Sequence, residues 1–138
     1  MNQTYLYWIS TGLLSLLYLS SATMYIVKGD WVRKALSDLG YPSYLVSVLI
    51  AVKLLAVAAL LSRFNVALSD LAYAGMLFHL LLSGAAHLGV RKPAGAAPAL
   101  IGLVLLGASF TAQNAGRETA SPYAPAAAVS AAAQRSTL

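Results

Sequence analysis

The chain has 138 residues, of which 59% are apolar and 9% charged, and its formal net charge is +5. A globular protein carries roughly 25% charged residues, and a water-soluble helical bundle needs a polar face on every helix, which nine Lys/Arg and four Asp/Glu do not supply. The basic residues Lys28, Arg33, Lys34, Arg63, Arg91, Lys92, Arg117 and Arg135 lie scattered between and beyond apolar runs, which argues against nucleic acid as a partner. Flanking positive charge of this kind is usual in membrane proteins. Cysteine is absent, so this chain has no disulfide, thiolate metal site or thiol catalysis.

Four segments meet the length a bilayer demands, about 20 residues at ~1.5 Å each. The first runs from Tyr5 to about Val27 without a charged side chain. It lacks the basic start of a cleaved signal peptide and its apolar stretch is longer than one, so it reads as a retained helix.

Lys28 to Pro42 is more than a loop. Asp30 can cap a helix on which Trp31, Val32, Ala35, Leu36 and Leu39 recur at helical spacing, and Gly40 and Pro42 stop it. The pattern fits a short interfacial helix in the headgroup plane, anchored by Trp31. A plain helical connection with no membrane role is the alternative.

The second span covers Tyr44 to Leu61 and is interrupted only by Lys53. The third, Leu71 to Val90, carries His79 and His87, and the fourth runs from Pro98 to about Ala115. Short connections at 62–70 and 91–97 put consecutive helices side by side and antiparallel. Thr11 and Ser15, Ser47 and Ala51, Ser83 and Gly84, and Gly102 and Gly107 would let backbones approach closely. Tyr5, Tyr7, Trp8, Tyr25, Tyr41, Tyr44 and Tyr73 are expected to form aromatic belts.

From Gly116 onward the composition predicts a disordered tail. The expected fold is therefore all-α, an antiparallel bundle of four transmembrane helices in residues 1–115, followed by the tail at 116–138. Lys28, Arg33, Lys34, Arg91 and Lys92 on one side outnumber Arg63, Arg117 and Arg135 on the other. The positive-inside rule then places both termini outside.

An ionisable group inside a span is a functional candidate, because burying it is costly. Lys53 and His79 each lie eight residues from the same end of neighbouring spans, so both are expected ~12 Å below one membrane face. No carboxylate lies within the spans, since Asp70 is expected at a boundary. Lys53 must then lose its proton, meet an acceptor from outside the chain, or snorkel toward the interface. A quinone carbonyl, an oxyanion or another subunit's carboxylate would serve.

His87 lies two turns beyond His79, ~12 Å along the axis, too far to share a metal. Lys53, His79 and His87 are the candidate ligand-binding residues. No catalytic constellation, metal set or cofactor motif is present: there is no hydrolase triad, carboxylate pair, P-loop or dinucleotide fingerprint.

Four stretches resemble the DoxX-like family of small membrane proteins. These are Tyr7-Trp8-Ile9-Ser10-Thr11-Gly12-Leu13-Leu14; Leu39-Gly40-Tyr41-Pro42 with Tyr44-Leu45; Lys53-Leu54-Leu55 with Ala58-Ala59-Leu60-Leu61; and Asp70-Leu71-Ala72-Tyr73-Ala74-Gly75 with Phe78, Ala86 and His87. The likeness covers roughly residues 5–112. It implies a four-helix, multi-pass protein of the cell inner membrane, and a founding member of the family is a small subunit of a thiosulfate:quinone oxidoreductase. Relatives often begin with basic residues, whereas this chain has none before Lys28.

The combined expectation is a non-catalytic integral subunit or accessory protein, in contact with lipid, that binds a quinone or oxyanion near Lys53 and His79. It would serve a membrane oxidoreductase rather than act as an enzyme alone. The competing expectations are an assembly partner for another membrane subunit, or a small transporter built as a homo-oligomer.

Overall fold

The computed structural model describes residues 2–126. Its α-helices are α1 (Gln3–Val27), α2 (Gly29–Asp38), α3 (Leu45–Ser62), α4 (Val66–Gly89) and α5 (Ala97–Ala112). Short 3-10 turns, Pro93–Ala96 and Gln113–Gly116, extend α5 at both ends. No strand occurs among the described residues. Four units are long and apolar enough to cross a membrane: α1, α3, α4 and the extended Pro93–Gly116 unit.

Local chemistry sets the helix ends. The Asn2 side chain accepts the Thr4 amide at 3.0 Å and caps α1. Asp30, predicted to cap α2, instead lies inside its first turn and takes the Arg33 guanidinium at 2.8 Å; no side chain caps that helix. Gly40, at φ 88°, ends α2 as predicted. The Tyr41 amide donates to Leu36 O and the Gly40 amide to Ser37 O, each at 2.9 Å, which is the hydrogen-bond pattern of a Schellman stop.

The Asn65 side chain accepts the Leu68 amide at 3.1 Å and starts α4 at Val66, ahead of the apolar run expected from Leu71. Asp70 therefore sits within the helix, half-buried, and not at its boundary.

In the packing, α1 lies against both α3 and α5, and α4 closes the other side of the same pair. Along α1 and α5, Thr4 Oγ1 donates to Ala115 O at 3.3 Å, Thr11 meets Ser109 at 2.6 Å, and Leu17 lies beside Gly102. The main core gathers Leu14, Tyr18, Val57, Leu60, Met76, Leu80 and Leu106. A second cluster joins Val32 and Leu36 of α2 to Val46 of α3, with Tyr25 at its edge, while Trp31 stays 60% exposed.

The outer surface is apolar, with Leu16, Leu55, Leu71, Phe78, Leu82 and Val104 all exposed. A continuous apolar exterior suits lipid and is untenable in water.

Two further sequence readings need correction. Of the small residues, Thr11, Ser15 and Gly102 face inward, whereas Ser47, Ala51 and Gly107 face out. Of Gly84, Gly102 and Gly107, Gly102 makes the tight approach: a Cβ there would lie 2.7 Å from a Leu80 methyl. Among the expected belt aromatics, Tyr5, Trp8, Tyr41 and Tyr44 are exposed, but Tyr7 and Tyr73 are core residues. They fall on the helix faces that meet α5, so their rings pack inside the bundle.

Of the tail read as disordered, residues 117–126 turn back over the bundle end. Ser121 is buried there, and its amide donates to Asn114 Oδ1 at 2.8 Å. Residues 127–138 of that tail lie outside the described residues.

Candidate functional site

Lys53 stands at the midpoint of α3 and is 5% exposed. Its ammonium lies against two rings of α1, 5.2 Å from the Tyr18 centroid and 4.8 Å from that of Tyr25. Tyr18 and Tyr25 are two helical turns apart, so both project from one face of α1. An ammonium within ~6 Å of an aromatic face is attracted by the ring quadrupole. That attraction satisfies none of its hydrogens: Lys53 Nζ has no hydrogen bond or ion pair among the described residues.

His79 of α4 completes the group. Its Nδ1 is 2.9 Å from the Tyr18 hydroxyl, and the two rings meet edge to face with centroids 5.6 Å apart. Tyr18 thus joins α1 to both polar neighbours, its face toward Lys53 and its hydroxyl on His79. If the hydroxyl donates to Nδ1, a neutral imidazole keeps its hydrogen on Nε2; if Nδ1 donates, the hydroxyl hydrogen stays free. Either way the pair retains a donor. With the three hydrogens of Lys53, the site is rich in donors and would receive a carbonyl or oxyanion.

The structure brings Lys53 and His79 together on Tyr18, and leaves His87 elsewhere. His87 packs against Gly95 in the turn before α5, where no side chain would fit, and its Nδ1 is buried without a partner among the described residues.

Tyr18 was missed in the sequence. The available signal was a tyrosine in mid-span, whose hydroxyl must find a partner when buried. Among the described residues no three His, Asp or Glu side chains gather into a metal-binding group.

A second buried polar cluster joins α1, α4 and α5. Ser109 Oγ lies 2.6 Å from Thr11 Oγ1 and 2.6 Å from the Tyr73 hydroxyl. Each of the three residues is at most 3% exposed, and each hydroxyl has a partner. No side chain of this cluster lacks a polar partner.

Polar contacts also tie the returning chain to the bundle end. Ser121 Oγ approaches both carboxylate oxygens of Asp70, at 3.0 and 2.8 Å, and Gln113 Nε2 donates to Oδ1 at 3.3 Å. Arg117 Nε donates to Gln113 Oε1 at 3.1 Å.

Four long apolar helices, an apolar exterior and a polar group buried at mid-span define a multi-pass membrane protein. The sequence profile of the DoxX-like family matches residues 9–109, and the chain belongs to that family. No curated protein and no solved structure matches it.

Proposed function

We propose that the chain is a non-catalytic integral subunit of the cell inner membrane, in which Lys53, Tyr18 and His79 receive the carbonyl of a quinone. One observation carries this reading: a lysine buried at mid-span has aromatic faces around it and no acceptor among the described residues. An unpaired ammonium in that setting is costly, and a ligand acceptor offsets the cost. The DoxX-like family membership supports a membrane redox setting.

In this reading the bundle is antiparallel, and both termini face the outer side. The second helix lies in the headgroup plane with exposed Trp31 as its anchor.

The test is gentle solubilisation followed by mass spectrometry of both lipophilic small molecules and proteins. The parent protein should carry a quinone that Lys53→Met loses. A multi-span protein bound through Lys53 with no quinone present would replace this reading with that of an assembly partner.

A further inference from the structure

The described chain holds a second place built for a ligand, at the bundle end where α1 and α4 begin. A cleft of about 930 Å³ opens there between the start of α1, the turn between α3 and α4, and the chain after α5. Arg63 and Arg117 both line it. The Arg63 guanidinium lies 5.1 Å from the Trp8 ring and donates to Gly116 O, yet its Nε is buried without a partner. Arg117 gives Nε to Gln113, while its Nη2 is likewise buried and unpartnered.

Neither arginine forms an ion pair among the described residues, although Glu118 lines the same cleft; the two ion pairs there are both on α2. The first turn of α4 lines the cleft as well. Its Asn65 cap takes the Leu68 amide, which leaves the amides of Val66 and Ala67 beside the cleft without intrahelical acceptors. A cleft lined by two guanidinium groups and a helix N-terminus suits one kind of ligand, an anion with several oxygens.

We propose that this cleft binds a phosphate- or sulfate-type oxyanion, with Arg63 and Arg117 as its charged donors and the first turn of α4 as its neutral ones. The chain after α5 completes the site. Ser121 latched on Asp70, and Asn114 holding the Ser121, Ala124 and Pro125 carbonyls, return that segment over the bundle end and keep Arg117 in place. The anion is either free in solution or the phosphate of a lipid headgroup, because the cleft lies at the end of apolar spans. The site is separate from the Lys53 group, and the failure of either proposal leaves the other standing.

The test uses Trp8 emission in a Trp31→Phe background, which leaves one tryptophan. The full chain is titrated with sodium phosphate and sodium sulfate in phosphatidylcholine bilayers. It is also compared between bilayers with and without phosphatidylglycerol, with native mass spectrometry of retained lipid. A saturable response is expected, and Arg63→Gln or Arg117→Gln should each weaken it about tenfold. A response to the free ions in phosphatidylcholine identifies a soluble oxyanion; a response only to phosphatidylglycerol identifies the headgroup. Both outcomes uphold the site.

Lys28→Gln with Lys92→Gln removes twice the charge of either arginine variant, at the opposite end, and should leave the response unchanged. Arg63→Lys and Arg117→Lys keep the charge but lose the guanidinium fork, so they should bind more weakly than the parent even if the glutamine variants fail to fold. No response to any probe, full affinity in every arginine variant, or an equal loss in the lysine pair would overturn the proposal.

Discussion

Two polar clusters are buried in this bundle, and they differ in whether their hydrogen bonds close. Around Ser109, the hydroxyls of Thr11 and Tyr73 each meet the same oxygen at 2.6 Å, so every side chain of the cluster has a polar partner. Around Tyr18, the His79 contact forms at 2.9 Å, but the ammonium of Lys53 has only ring faces. In hydrocarbon no water completes an unfinished network. The closed cluster is therefore explained by stability alone. The open one is a standing cost to the fold, which a ligand or a partner would offset.

The contrast is open to measurement through thermal melting in detergent. The largest shift should come from Ser109→Ala, which removes the shared oxygen and strands two buried hydroxyls. A loss of about 2 kcal/mol is expected, from one to two hydrogen bonds of membrane strength. An unchanged melting temperature would show that the cluster is not structural.

Next in size is the coupling between Thr11→Val and Tyr73→Phe. Both act through Ser109, so the double variant should fall short of the sum of the singles by about 0.5–1 kcal/mol. Full additivity would mean that the three hydroxyls do not work as a unit.

Tyr18→Phe keeps the ring beside Lys53 and deletes only the bond to His79. It should cost about 0.6 kcal/mol, near the average for a hydrogen bond between helices in a membrane.

The smallest effect on folding belongs to Lys53→Met. It keeps the aliphatic length and removes a buried charge without a partner, so the melting temperature should hold or rise. Quinone retention should nevertheless disappear. His79→Leu should mimic that loss, and combining the two should add little, since residues acting on one ligand are non-additive. A marked loss of stability in Lys53→Met would give the lysine a structural partner and erase the difference between the clusters.

Much of the fold was legible in advance, because a bilayer's demand for about 20 apolar residues is written out position by position. The spans, the helix ending at Gly40 and the family likeness were all visible. The start of α4 was not, since Asn65 lies outside the apolar run and declares itself only through its bond to Leu68. Lys53 and His79 stood out because ionisable groups are rare at that depth. His87 drew the same notice, yet packs apart from them on Gly95.

The sequence by itself determined that this chain spans a membrane four times and that Lys53, His79 and His87 lie within the spans. The tertiary structure decided what the polar groups touch: Tyr18 as the link between Lys53 and His79, Ser109 as the node between Thr11 and Tyr73, and Arg63 with Arg117 lining one cleft. The reason lies in the solvent. In water, a helix shows which face is buried by the contrast between polar and apolar residues. In lipid, outward leucines such as Leu55 and Leu82 look like the inward Leu14 and Leu60. The inward face is chosen instead by close fits, such as Gly102 on Leu80, and by hydrogen bonds between helices, which become visible only when the helices are together.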